Sequence, residues 1–464
     1  YSSFLWGVLF YIPPLELIVL THKRKSLLEY IRQNKSRREA PMKEANDILP
    51  LLGIPSEKIK SYLCEVNENN SVIYVELIDF KKPCPKCGSM QIETKGYYKV
   101  RINNSLIKHQ QMIVEINVRR YRCRKCGKTF KQDYDFYEKG TSISIPVKGA
   151  ILDDLKEIIT FNQIAKDHHV SINEVRTLFD RCVLPQFALP LTEIICIDEF
   201  CFKHSKSDLG KYPAVITDPI SGKIIDIIES RWKSVLFEYF NKVKVPQRFG
   251  VKYFVSDMNE TYRDIRKVFF KNAIHIADRF HVIKAFNDAI TAIRTRIIKQ
   301  EVYQESEYRY LKKNWKVFLK DRYELSKCKN IDKYGIVRDP TVPLDLCLQK
   351  YPDLFYAYWT KEDFRRDTRK LLYYGKAETV IDFYINKLIN STIDEMVKVG
   401  KTLQNWRYEI INGITQNPYS IKISNAIAES TNNTIQTLID ISYGLPDFKR
   451  MRKRVLYINR NQKD

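Results

Sequence analysis

The chain reads as an α/β protein, a ribonuclease-H-like domain preceded by a zinc ribbon and a helix-turn-helix. Three observations predict this. From Ile194 to Asp278, three β-prone runs are followed by helix, strand, helix, strand, an order foreign to ordinary doubly wound sheets. Upstream, two Cys-x-x-Cys-Gly pairs bracket strand-like sequence. Between the two regions, residues 162–181 carry the pattern of two short helices joined by a tight turn.

Composition narrows the classes. A chain of 464 residues is long enough for two to four domains and a large core. With 44% hydrophobic and 29% charged residues it is globular rather than disordered. Lys plus Arg number 78 against 55 Asp plus Glu, a net charge of +23 that suits a polyanionic partner, nucleic acid first. Four of the ten cysteines form the two pairs, and the rest are scattered singly. That usage points to metal binding in a reducing cytoplasm, not to a disulfide framework.

Residues 4–20 are apolar and precede His22-Lys23-Arg24-Lys25, superficially like a membrane anchor. Pro13, Pro14 and Glu16 interrupt the run, and its basic residues follow the apolar part, whereas a signal peptide has them in front. Met42 opens a better protein start, so residues 1–41 read as an upstream extension and no membrane partner is expected.

Residues 42–145 form the next region, a short helical stretch and then the alternating SVIYVELIDF. Cys84 and Cys87, then Cys123 and Cys126, each carry a glycine after the second cysteine, as a tight thiolate-presenting turn requires. YYKVRI and QMIVEINVRRY between them read as strands. Two knuckles converging on one tetrahedral Zn²⁺ make a ribbon with a long β insert, and four thiolates leave no open position for chemistry.

Residues 146–190 hold the helix-turn-helix and a linker marked by Pro185 and Pro190. Ile164 and Ala165 belong to the first helix, the turn falls near Val170, and Ser171 caps the second. Asn173, Arg176 and Thr177 then lie near the start of a recognition helix and are the candidate DNA contacts, although helix pairs that merely pack together look similar. His168 and His169 read as surface or turn residues rather than ligands.

From 191 to 290 runs the first part of the core: EIICIDEF, KYPAVITD and KIIDIIES as strands, with Ser221-Gly222 turning the last two, then helix, the strand ending at Asp257, helix, and the strand ending at Asp278. Long, basic, aromatic helical sequence occupies 291–420, its aromatics, Trp315, Trp359 and Trp406 among them, expected mainly in a core. Residues 421–464 return to amphipathic helix. Ser424 or Asn425 could cap it, and Glu429 shares a face with Asn432 and Asn433.

Strand-end carboxylates are common as turn and cap residues. A set of them at adjacent strand ends also suits a divalent cation. Asp198, Asp257 and Glu429 form a candidate triad for Mg²⁺ (or Mn²⁺), since the first and fourth strands of such a sheet are neighbours. Phosphoryl transfer on DNA uses two such ions roughly 3.5–4 Å apart, which Asp198 would bridge. Glu199 is the rival to Asp198, but adjacent strand residues face opposite ways and only one can serve.

IDEFCFKHS, the Ser-Asp-Met around Asp257, ADRFHVIK and AESTNNTIQ resemble the DDE transposases of the insertion-sequence L-three family, over about residues 42–457. The resemblance implies that Asp198, Asp257 and Glu429 are the catalytic acids, with a helical insertion domain between the second and the third. It implies that Asp278 and His281 flank the site. His281 would contact the scissile phosphate or orient an acid, while a helix-start histidine bonded to Asp278 is an equally good structural reading. The implied activity is that of a DNA transposase: binding of terminal inverted repeats in double-stranded DNA, then metal-dependent cleavage and strand transfer, by a dimer or larger homo-oligomer. The alternatives are a catalytically inactive DNA-binding regulator on the same domains and a structure-specific nuclease on the same sheet.

Overall fold

The computed structural model describes residues 59–461 apart from 68–69, 80, 109, 133, 135, 138–139, 203–207, 301–305, 329, 332–336, 370, 372–373, 416–425 and 442–446, and before residue 59 only Leu49, Gly53 and Ser56–Lys58. Side chains at 306–307, 330–331, 337–338 and 426–430 also lie outside that description. The chain divides into two units, Tyr1–Lys58 and Ile59–Asp464, and the architecture below is that of the second. The apolar run at 4–20 and the extension 1–41 fall outside the described residues, among which no helix is long and apolar enough to cross a membrane.

The first sheet comprises β1 (Ile59–Val66), β2 (Asn70–Leu77), β3 (Ile92–Asn103), β4 (Gln111–Cys123) and β5 (Thr129–Lys131), in the order β1-β2-β4-β3 with β5 beside β4. Alternation in β2 is what the sequence suggests: Ser71, Ile73, Val75 and Leu77 are buried and their neighbours are less so. Three helices follow, α1 (Ile145–Asp154), α2 (Phe161–Asp167) and α3 (Ile172–Cys182). Ser171 caps α3 reciprocally, its Oγ accepting from the Glu174 amide while the Glu174 carboxylate accepts from the Ser171 amide at 2.8 Å. Val147, Ile151, Ile164, Val175, Leu178 and Phe179 share one core.

His168 departs from the surface placement expected of it. It is buried, with Nε2 3.0 Å from Asp154 Oδ2 and Nδ1 3.2 Å from the Ser105 carbonyl, so two partners from distant elements satisfy its ring inside the core. His169 does occupy the turn, at a left-handed φ of 51°.

The central sheet contains β6 (Ile194–Glu199), β7 (Ala214–Thr217), β8 (Ile224–Ile228), β9 (Tyr253–Ser256) and β10 (Ile274–Ala277). Helices α4 (Lys233–Lys242) and α5 (Val245–Gly250) separate β8 from β9, and α6 (Glu260–Phe269) separates β9 from β10. Strand order is β10-β9-β6-β7-β8; the first three are parallel, and β7 and β8 complete an antiparallel meander. Gly222, at φ 69°, makes the β7–β8 turn possible. The Ile- and Val-rich strands are buried on both faces because helices cover them, which is why they read as continuous apolar runs.

Beyond β10 the chain is helical: α7 (Arg279–Gln300), α8 (Ser306–Lys313), α9 (Arg322–Lys327), a two-residue hairpin of β11 (Asn330–Ile331) and β12 (Val337–Arg338), then α10 (Thr341–Lys350), α11 (Pro352–Asp367), α12 (Tyr374–Ile389), α13 (Asp394–Asn405) and α14 (Arg407–Ile414). These helices have their own core, with Phe286, Tyr358, Phe364, Tyr384 and Trp406 inside. Trp315 does not join it: in the turn Trp315–Phe318 the buried position goes to Phe318, and Trp315 stays 42% exposed beneath the Lys316 ammonium.

The last helices are α15 (Ala426–Ile441) and α16 (Phe448–Asn461). The caps expected at Ser424 or Asn425 lie outside the described residues. Helix α16 ties α1 to α3 onto the central sheet. Arg452 pairs with buried Asp226 of β8, Lys453 donates to the Phe179 carbonyl at 3.0 Å, and buried Arg454 donates to the carbonyls of Leu155, Glu157 and Ile159.

Candidate active site and metal centre

Register brings the acids together. Ile197 of β6 and Ala277 of β10 both pair with Ser256 of β9, so the next residue on each strand, Asp198, Asp278 and Asp257, stands at the same end of three adjacent parallel strands. The Asp278 amide donates to the Ser256 carbonyl at 2.9 Å, continuing the ladder one step. This is the carboxyl end of the sheet, where open α/β folds place ligands.

Asp198 and Glu199 do face opposite ways. Asp198 follows Ile194 and Cys196 on one face, where the Asn432 amide of α15 donates to its Oδ2 at 2.9 Å. Glu199 follows Ile195 and Ile197 on the other, where it accepts from Arg231 and, at 3.4 Å, from the Tyr262 hydroxyl. Asn433 is exposed, so of the two asparagines only Asn432 meets the strand.

Burial dominates the electrostatics. It pushes the carboxyls of Asp198 and of Asp257 up to about 6, against the opposing field of His281. Asp257 Oδ1 is buried without a hydrogen-bond partner, and so is Asn432 Oδ1. His281, in the first turn of α7, places Nδ1 3.0 Å from Asp278 Oδ2. Burial disfavours its charged form, but Asp278, Asp257 and Asp198 together raise its pKa. His281 is thus a helix-start histidine bonded to Asp278, and it lies within the electrostatic reach of Asp257 and Asp198.

Glu429 lies on α15 one turn ahead of Asn432, and its side chain falls outside the described residues. Asn173 and Thr177 are exposed on α3, with Arg176 between them half-buried. Two groups escaped the sequence reading. Arg231 follows β8 in a segment with no distinguishing pattern. Asn432 was named only as a neighbour of Glu429, and its bond to Asp198 spans 234 positions.

The ribbon is a separate centre. Cys84 and Cys123 sit in matching turns: the Gly88 amide donates to the Cys84 carbonyl and the Gly127 amide to the Cys123 carbonyl, both at 2.9 Å, with the glycines at φ 68° and 72°. The four Sγ atoms lie within 4.8 Å of one another, with Cys84 and Cys126 at 3.5 Å and Cys87 and Cys123 at 3.6 Å. Zinc–sulfur bonds of about 2.3 Å place tetrahedral thiolates about 3.8 Å apart, so the set fits a structural Zn²⁺.

A mixed sheet of this order carrying strand-end acids, behind a four-cysteine ribbon, places the molecule among the DDE-type transposases. Residues 195–455 match the ISL3 DDE family model, described as "Transposase", and residues 81–126 match the zinc-finger of transposase IS204/IS1001/IS1096/IS1165. The first match covers more than half of the chain, which belongs to the ISL3 family of transposases. No curated protein matches it significantly.

Proposed function

We propose that the protein is a DNA transposase that binds the terminal inverted repeats of its element and carries out metal-dependent cleavage and strand transfer. The observation that supports this most is the Asn432–Asp198 hydrogen bond, because it brings the helix bearing Glu429 to the strand ends bearing Asp198 and Asp257. Asp198, Asp257 and Glu429 are the catalytic acids in this reading and would hold Mg²⁺ or Mn²⁺. Buried carboxylates without enough cationic partners, one of them with an orphaned oxygen, are a donor set of the right hardness for such an ion. When bound, the metal activates the attacking oxygen and stabilises the leaving one.

The chain's own residues do the rest. Asn432 fixes the orientation of Asp198. His281, held by Asp278, offers a proton-bearing imidazole to the scissile phosphate or to the acids beside it. Helices α2 and α3 act as the helix-turn-helix, Asn173, Arg176 and Thr177 reading the major groove. The helices from α7 to α14 form the insertion domain, and the active species is a homo-oligomer that brings two DNA ends together.

The test supplies the chain in trans to a marked segment bounded by the DNA ends that flank its own gene, and scores excision and insertion. Movement by wild type and none by Asp257→Asn supports the reading. Binding of the ends by both, with movement by neither, favours the inactive regulator.

A further inference from the structure

A cavity of about 610 Å³ is formed by the start of α7, the start of α9 and the end of α11. Arg279, Arg322, Arg365, Arg366 and Arg369 line it, against two carboxylates, Asp321 and Glu362. We propose that this cavity is a subsite for a backbone phosphate of the DNA strand held at the acids, an assignment that rests on the transposase reading above.

Arg322 and Arg366 are held in close ion pairs. Arg322 is held by both oxygens of Asp345 at 2.7 and 2.6 Å, and Arg366 by Asp363 at 2.8 Å and Asp367 at 3.1 Å. Arg365 reaches Glu362 and Asp321 only loosely, at 3.5 and 3.8 Å. Arg279 makes no ion pair among the described residues. Its Nη2 donates to the Arg365 carbonyl at 3.1 Å and to Thr368 Oγ1 at 3.4 Å, neutral acceptors that fix the guanidinium without cancelling its charge. Burial, and then the charges of Arg369 and Arg365, lower its pKa, so the fold holds this cation against repulsion.

A fixed, half-buried guanidinium beside two others is geometry that a phosphate satisfies, by forked hydrogen bonds and by charge. Placement argues for a phosphate of DNA over any other anion. Arg279 is the residue after Asp278, so the cavity is lined from the same helix start that bears His281. Phe280, the next residue, is 54% exposed and offers an aromatic surface to a base of the same strand.

Fluorescence anisotropy across a salt series decides it, using the full chain with two short duplexes, one from the flanking ends and one of unrelated sequence. Each lost phosphate contact lowers the slope of log K against log salt by about 0.9. Arg279→Gln and Arg369→Gln are each expected to lower it by that amount on both duplexes and to weaken binding several-fold, while Lys401→Gln, at an exposed position of α13, changes neither. Should Arg279→Gln melt early, Arg369→Gln carries the test alone. Unchanged slopes in correctly folded variants overturn the subsite, even where wild type cleaves the flanking ends and the transposase reading stands. Lowered slopes without any cleavage by wild type keep the subsite and remove the reaction. If wild type binds neither duplex, both fall.

Discussion

Asn432 donates to Asp198 Oδ2 at 2.9 Å, joining a helix near the C-terminus to the first strand of the central sheet. A hydrogen bond to a carboxylate contributes about 1.5–3 kcal/mol. Asn432→Ala should therefore lower single-turnover cleavage at least tenfold through disordered positioning of Asp198, with the melting temperature only slightly reduced. Cleavage at the wild-type rate would mean that α15 needs no such tether.

Gly413 carries a second prediction about the same strand ends. A Cβ at this position of α14 would sit 2.7 Å from the Ala277 carbonyl, the residue just before Asp278. Backbone cannot yield as a flexible side chain does. Gly413→Ala should cost about 1–3 kcal/mol in denaturant unfolding, typical of overpacking, and should slow cleavage as well. An unchanged unfolding midpoint contradicts the packing described here.

Acid should loosen the contact between α6 and α14. Burial alone would raise the Glu409 carboxyl, but His275 and Arg263 hold it down to about 2. Since His275 Nδ1 is 3.6 Å away, beyond hydrogen-bonding range, the Arg263 contact at 3.0 Å is the main cause. A depressed folded pKa gives stability that is complete above the ordinary carboxyl value near 4.5 and is lost as pH falls toward 2. Glu409→Gln should flatten unfolding free energy against pH across that window, by a few kcal/mol at most. A slope equal to that of wild type would place the effect elsewhere.

For the ribbon, Cys123→Ser should remove bound zinc and unfold the sheet around β4, read by metal content per chain and by protease sensitivity. One zinc retained per chain would refute the four-cysteine site.

Much of this arrangement was legible in the sequence, because it is written in local patterns. The apolar, β-prone runs ending at Asp198, Asp257 and Asp278 read as strands, and the helices falling between only some of them set the ribonuclease-H-like order of elements. Both glycine-terminated cysteine pairs announced the ribbon, and Ser171 announced the start of α3. What local pattern cannot show is partnership over distance. His168 is buried because Asp154 and Ser105 satisfy its ring, and neither adjoins it in sequence. The Asn432 bond and the arginine cavity are likewise products of tertiary packing, and Trp315 is exposed because Phe318 fills the core position beside it.

Purified protein shows whether the strand-end acids perform DNA cleavage. Wild type and Asp257→Asn are incubated with labelled duplex from the DNA flanking the gene, with Mg²⁺, and nicking is followed alongside binding. The account predicts nicking at the element end by wild type, a loss of about 10³-fold or more in the variant, and binding by both. Equal cleavage by the two proteins would remove Asp257 from the site and contradict the account.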